Sequence, residues 1–234
     1  MRTLLRAVSL DLDNTLWDTP PVLLRAEAVL RDWLAIHCPA LAASFDIAAL
    51  TRLRAVVAAE SPGHAHDFSW IRTEALRRAA RASGYPDEVA AHAFEVFLAA
   101  RNQIAPYAEV PAALARLAAR VPLYALSNGN ACVYRVGLGA HFTAAVDAAA
   151  AGAAKPDARI FARLVAVAGV PAASVLHVGD DAVADVAGAR AAGLLTAWIN
   201  RGRLPWPAPA APADHEITDL DQLVALVERL LADP

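Results

Sequence analysis

Lysine is almost missing from this chain. Of its 21 basic residues, 20 are arginine and one, Lys155, is lysine. Cysteine is nearly as scarce. Cys38 and Cys132 stand far apart, read as two reduced thiols, and point to a cytoplasmic protein. There is no surplus of positive charge: the net charge of -3 argues against a general nucleic-acid surface. Long apolar runs are absent too. The N-terminal patch is interrupted by Arg6 and ended by Asp11, so neither a signal peptide nor a membrane span fits. No internal repeat is visible. What is present is 234 residues, 57% of them apolar. That suffices for a sizeable core, in one domain with a large insertion or in two domains.

Strand-like character comes early. Leu4 to Leu10 is a short apolar run, read as a buried strand, and Asp11 and Asp13 follow it at once. It then vanishes until about residue 121. Between lie four helical patterns: from Pro20-Pro21 to near Pro39, from Asp46, through Trp70 to Gly84, and from Pro86-Asp87-Glu88. From Pro106 the chain alternates. Helices are expected at Val110 to Arg120, Ala131 to Gly137, Asp157 to Ala168, Asp181 to Ala192, and after a capping Asp219. Strands are expected at Val121 to Leu126, Phe142 to Ala148, Ser174 to Val178 and Leu195 to Ile199. Leu204 to Ala213 carries four prolines and reads as an extended surface loop. The expected fold class is therefore α/β: a Rossmann-like parallel sheet with helices on both faces, plus an all-helical insertion after the first strand.

The polar clusters fall after expected strands: Asp11 and Asp13; Ser127 and Asn128; Asp180, Asp181 and Asp185. Lys155 precedes Pro156 in a loop entering a helix. In a parallel sheet these ends share one edge, where ligands bind. Four carboxylates there need compensation. At ~4 Å and an effective dielectric of ~20, each like-charged pair costs on the order of 4 kcal/mol. A divalent cation plus Lys155 would set a charge of +3 against Asp11, Asp13, Asp180 and Asp185, and an all-oxygen set suits Mg²⁺. The Ser127 hydroxyl and the amides near Asn128 and Gly129 can receive a phosphate, although Ser-Asn-Gly is equally an ordinary turn. His177 reads as a satisfied strand histidine.

Asp11-x-Asp13-x-Thr15, Ser127, Lys155-Pro156 and Gly179-Asp180-Asp181-x-x-x-Asp185, in this order, resemble the four motifs of the haloacid dehalogenase-like hydrolase superfamily. The resemblance implies a covalent phosphoenzyme. Asp11 would be the nucleophile and a Mg²⁺ ligand. Asp13 would be the acid and base, with its backbone carbonyl on the metal. Thr15, Ser127, Asn128 and Lys155 would hold phosphate, with Lys155 also neutralising the nucleophile. Asp180 would bind metal, and Asp185 would orient Lys155 or stand behind the metal shell. For Asp181 a metal-shell role and helix capping both stay open. The dehalogenase branch usually carries a non-acidic residue at the position of Asp13, so the acid favours phosphoryl chemistry. The spacing implies a catalytic core of residues 1–17 and 105–234 and a helical cap of 18–104.

Asp11 to Pro21, His66-Asp67 with Trp70, Asn128-Gly129-Asn130 and His177 to Asp181 are further similar to a bacterial YigB-like branch. That branch is associated with dephosphorylating flavin mononucleotide (FMN) and 5-amino-6-(5-phospho-D-ribitylamino)uracil of the riboflavin pathway. It implies a small phosphate-ester partner and a leaving-group pocket near His64, His66, Asp67, Trp70 and Arg72, with Trp17 at the cap entrance. Plain packing for Trp17 and Trp70, and solvated loop positions for His64 and His66, stay open. So do a sugar-phosphate mutase of the same core, a phosphorylation-dependent signalling module and a non-catalytic phosphate-binding protein. No nucleic-acid or membrane partner is expected. Oligomeric state is not legible.

Overall fold

The computed structural model describes residues 4–207 and 211–232. The chain forms two compact units, residues 19–104 and the flanking segments up to 18 and from 105 onward.

The unit of 19–104 is helical: α1 Thr19–His37, α2 Pro39–Ser44, α3 Ile47–Glu60, α4 Phe68–Ala82 and α5 Glu88–Arg101. Leu30, Leu34, Leu41, Leu50, Leu76 and Phe97 fill its core, among alanines such as Ala79, Ala80, Ala90 and Ala93. Aspartates start two of the helices. Asp46 accepts from the Ala49 amide at 2.6 Å and Asp67 from the Trp70 amide at 2.9 Å, satisfying N–H groups that a helix start leaves open. The sequence pattern gives four helices here; α2 is the fifth. Pro39 ends the α1 pattern and also opens α2, because proline is tolerated in a first helical turn.

The other unit is built on β1 Ala7–Leu10, β2 Leu123–Ser127, β3 Ala144–Asp147, β4 Val175–Gly179, β5 Leu195–Ile199 and β6 His215–Ile217. They form one parallel sheet in the order β3-β2-β1-β4-β5-β6, confirming the α/β class. β1, β2 and β4 are buried at every position, as strands covered on both faces must be. The helices are α6 Val110–Ala118, α7 Ala148–Ala151, α8 Ala158–Ala168, α9 Gly188–Ala191 and α10 Leu220–Ala232. Ile160, Phe161 and Leu164 of α8 pack with Leu126, Val146 and Val175 of the sheet.

Two local expectations are corrected, and one strand is new. Ala131 to Gly137 is not a helix; only a turn over 133–137 forms. There Leu138 donates back to the Val133 carbonyl at 2.9 Å, past Gly137 at φ +87°. Asp181 to Ala192 is not one α-helix. Ala182–Ala187 is a π-helical turn, with the Val186 amide reaching the Asp181 carbonyl five residues back at 3.1 Å, and only Gly188–Ala191 is α-helical. β6 lies just after the proline-rich stretch, where the sequence pattern marks no element. It is three residues long with Glu216 exposed, too short and polar to show a strand pattern. Of the proline-rich stretch, residues 208–210 lie outside the described residues.

Candidate active site

The sheet order reverses at β1, which has β2 on one side and β4 on the other. A parallel sheet opens a crevice at such a switch point, beyond the carboxyl ends of its strands. Asp11 follows β1, Ser127 ends β2 and Asp180 follows β4. The Asp11 amide donates to the Val178 carbonyl at 2.8 Å, tying the first acid to the neighbouring strand.

Lys155 enters this crevice from the loop before α8. Its ammonium is fully enclosed and donates to Asp11 Oδ1 at 2.5 Å and the Leu126 carbonyl at 2.8 Å, with Asp185 Oδ1 at 2.7 Å. Burial alone would lower the Lys155 pKa, but Asp11 and Asp185 outweigh it and hold the ammonium above its ordinary range. Burial raises Asp185, and Lys155 and then His177 overcome that and keep it well below the usual carboxylate range. Asp11 fares differently. Burial raises it, Lys155 pulls it back, Asp185 and Asp180 add to the rise, and the result is about 8. Asp180 is pushed up to about 6, by burial first and then by Asp185. One ammonium cannot serve every acid here.

Behind Lys155 lies a buried polar chain. His177 Nε2 is 3.2 Å from Asp185 Oδ1, and His177 Nδ1 is 2.6 Å from Ser9 Oγ. The Asp181 amide donates to Asp185 Oδ2 at 3.0 Å. Burial lowers the His177 pKa despite Asp185. Gly179 leaves room for this arrangement: a Cβ there would lie 2.2 Å from Asp185 Cγ and Oδ2. The Asp181 side chain accepts from the Val183 and Ala184 amides at 2.8 Å each, so it caps the π-helical turn. The reading of His177 as a satisfied strand histidine holds; which partners it meets carries no sign in the pattern of a strand buried throughout.

Asp13 is half-buried, and its Oδ1 accepts from the Trp17 indole N–H at 2.8 Å. Thr15 is fully buried and its hydroxyl oxygen meets no hydrogen-bond partner. Ser127 Oγ accepts from the Gly129 amide at 3.0 Å, leaving its proton to donate elsewhere. Asn128 is used on the chain itself: its amide donates to the Lys155 carbonyl at 3.0 Å and accepts from the Lys155 amide at 2.7 Å. Its side chain thus fixes the Lys155 loop, while one side-chain N–H still remains to donate.

The helical unit holds the remaining sequence candidates. His64 is exposed and stacks on Trp70, centroids 4.0 Å apart; His66 is half-buried nearby in sequence. Asp67 is the α4 cap. Arg72 is buried, pairs with Glu27 at 2.9 Å and lies 3.5 Å from the Phe97 ring centroid. Its guanidinium therefore packs within the helical core. Trp17 is fully buried with its N–H on Asp13, rather than a ring displayed at an entrance.

Carboxylate oxygens of Asp11, Asp180 and Asp185 lie within 4.8 Å of one another. All are hard oxygen donors, and two of the three acids are held above their ordinary range, by burial first and then by the neighbouring carboxylates. That donor set fits a divalent cation of the Mg²⁺ kind.

The haloacid dehalogenase-like hydrolase model matches residues 5–193, and the chain belongs to that family. It is 34% identical to the 5-amino-6-(5-phospho-D-ribitylamino)uracil phosphatase YigB of Escherichia coli K12, over 94% of this chain and 95% of that one. It is 32% identical to a phosphoserine phosphatase of Thermus thermophilus, over 88% and 84%. A solved structure described as a 2-haloacid dehalogenase from Pseudomonas syringae pv. Tomato DC3000 superposes with a TM-score of 0.92 at 37% identity, covering 97% of this chain and 99% of that one. The protein is thus a hydrolase of this family with phosphatase relatives. No helix among the described residues is long and apolar enough to cross a membrane.

Proposed function

We propose that the protein is a Mg²⁺-dependent phosphomonoester hydrolase working through an aspartyl-phosphate, with residues 19–104 as its cap. The observation that carries this reading is the pair Asp11 and Asp13. The first is buried against Lys155; the second is an acid where halide departure needs none. An alkoxide leaving group needs a proton, and a halide does not.

In this reading Asp11 attacks phosphorus as the ester P–O bond breaks, and Asp13 gives its proton to the departing oxygen. Asp13 then takes a proton from water as the water oxygen bonds to phosphorus. The bond to Asp11 breaks and its electron pair returns to the carboxylate. One difficult displacement becomes two easier ones. Lys155 offsets the charge gathering on Asp11 and phosphate. The Thr15 and Ser127 hydroxyls donate to phosphate oxygens, which would give the orphaned Thr15 hydroxyl its partner. Asp185 orients Lys155. Asp11, Asp180 and the Asp13 carbonyl would hold Mg²⁺, which supplies further positive charge to the phosphoryl group.

The YigB relative supports 5-amino-6-(5-phospho-D-ribitylamino)uracil as substrate, and the motif resemblance adds FMN. Within the cap, His64, His66 and Trp70 are the flat rings suited to a planar heterocycle. Phosphate release from FMN, sugar phosphates, nucleotides and p-nitrophenyl phosphate, with Mg²⁺ and with EDTA, tests the reading. Metal-dependent release that favours FMN supports both reaction and substrate. Even release keeps the reaction and removes the substrate. Turnover that survives EDTA and Asp11→Asn removes the mechanism.

A second reading, haloacid dehalogenation, draws on the Pseudomonas syringae neighbour. It requires halide release from 2-chloropropionate, which the phosphatase reading predicts to be absent.

A further inference from the structure

The geometry points to Trp17 as a positioning residue for Asp13: its indole N–H fixes the carboxyl group that protonates the leaving oxygen. This inference rests on the phosphatase reading above. The segment Asp13 to Trp17 makes one tight turn. The Leu16 amide donates to the Leu12 carbonyl at 2.8 Å, Asn14 sits at φ +59°, and Asp13 and Trp17 form an isolated bridge. Leu12, Thr15, Leu16 and Trp17 are buried while Asp13 is half-buried. The turn therefore presents Asp13 and the exposed Asn14 on a frame of four buried residues.

That frame is clamped at two consecutive carbonyls. Arg201 donates to the Thr15 carbonyl from Nε at 3.2 Å and Nη2 at 2.9 Å, and the Tyr107 amide donates to the Leu16 carbonyl at 3.0 Å. Arg201 is in turn held by Glu109 at 2.8 Å and lies 3.8 Å from the Tyr107 ring centroid. With the backbone fixed, the indole of Trp17 reaches back to Asp13 Oδ1. An indole nitrogen can only donate. It suits a carboxylate, and equally the carbonyl oxygen of a carboxylic acid whose proton sits on Oδ2. It does not compete for that proton. A general acid must meet its target oxygen within hydrogen-bond reach, and an Asp free to rotate about its side-chain bonds would meet it only part of the time.

Trp17 is fully buried and would reach the chemistry through Asp13, so its test is the leaving group. For a metal-loaded enzyme, kcat/KM covers the steps up to departure of that group. Glycerol 2-phosphate releases an alkoxide that needs a proton; p-nitrophenyl phosphate releases a stable phenolate that does not. In Trp17→Phe, kcat/KM for glycerol 2-phosphate should fall about 10- to 100-fold, and that for p-nitrophenyl phosphate by less than about threefold, with Asp13→Asn as the limiting case. Equal losses on both esters, or none on either, overturn the positioning role. Should Trp17→Phe not fold, the indole N–H resonances of the wild-type holoenzyme decide. One of the five tryptophan signals should move upfield in Asp13→Asn, and five unmoved signals overturn the inference. A wild type that cleaves neither ester sinks the phosphatase reading and this role with it. A wild type that cleaves both while Trp17→Phe shows no leaving-group preference sinks this role alone.

Discussion

Lys155 answers the question its rarity raises. Three oxygens lie 2.5–2.8 Å from its ammonium inside a space with almost no access to solvent. A guanidinium is planar and larger and cannot meet that arrangement. We expect Lys155→Arg to lower kcat/KM for phosphate esters about 100- to 1,000-fold, the scale of removing one preorganised charge partner. Lys155→Met should cost about 3–5 kcal/mol of stability, because Asp11 and Asp185 would stay buried without their cation; denaturant unfolding measures it. The motif residues were legible one by one, since carboxylates, a hydroxyl and a lysine at strand ends have few other uses together. The residues that hold them were not. His177, Arg201 and Asn128 take their roles from partners 8 to 186 positions away, and no local pattern announces such a partner. Trp17 was visible as an aromatic near the site, but the direction of its N–H was not.

At the scale of elements, the regular pieces were legible where apolar periodicity runs long, as in α1, α4, α8 and α10. They were missed where an element is a single turn or a three-residue edge. β6 is such an edge, and the chain entering it is tied down by Asp214. Asp214 Oδ2 accepts from the Thr196 amide at 2.9 Å and the Thr196 hydroxyl at 2.7 Å, and Oδ1 accepts from Arg190 at 3.1 Å. Burial raises the Asp214 pKa, but the Thr196 hydrogen bonds, Arg190 and His215 lower it further, so it lies below its ordinary 3.8. The sign follows. The ionised form is favoured in the folded state, so its contribution is complete above the unfolded pKa and is lost as pH falls through the folded one. Asp214→Asn should cost about 1 kcal/mol near neutrality, a figure discounted for partial exposure. The gap to wild type should close as pH drops below 3.8; thermal melts across that range check it. The π-helical turn is the other element that periodicity misreads. A break in the ladder does not change which residues are apolar, yet it coincides with the segment carrying Asp185.

For the whole molecule, the chain divides into two units, and the four helical patterns of the sequence fall within the unit of 19–104. The unit of 19–104 has its own buried cluster from Ala26 to Ala100. Expressed alone, that segment should be helical by circular dichroism and melt cooperatively; a broad non-cooperative loss of signal would contradict an independent core. Which substrate the protein takes was not legible from the core motifs. On the phosphatase reading they meet the transferring group and the leaving oxygen, whereas the rest of the leaving group would meet other residues.

The central claim is that Asp11 carries the phosphoryl group. It is tested most directly by mixing enzyme, Mg²⁺ and a cleaved ester, quenching in acid within one turnover, and digesting for mass spectrometry. The account predicts one added phosphoryl group on the peptide containing Asp11, absent in Asp11→Asn. Turnover with no covalent phosphate on that peptide, or with phosphate on a different residue, would contradict it.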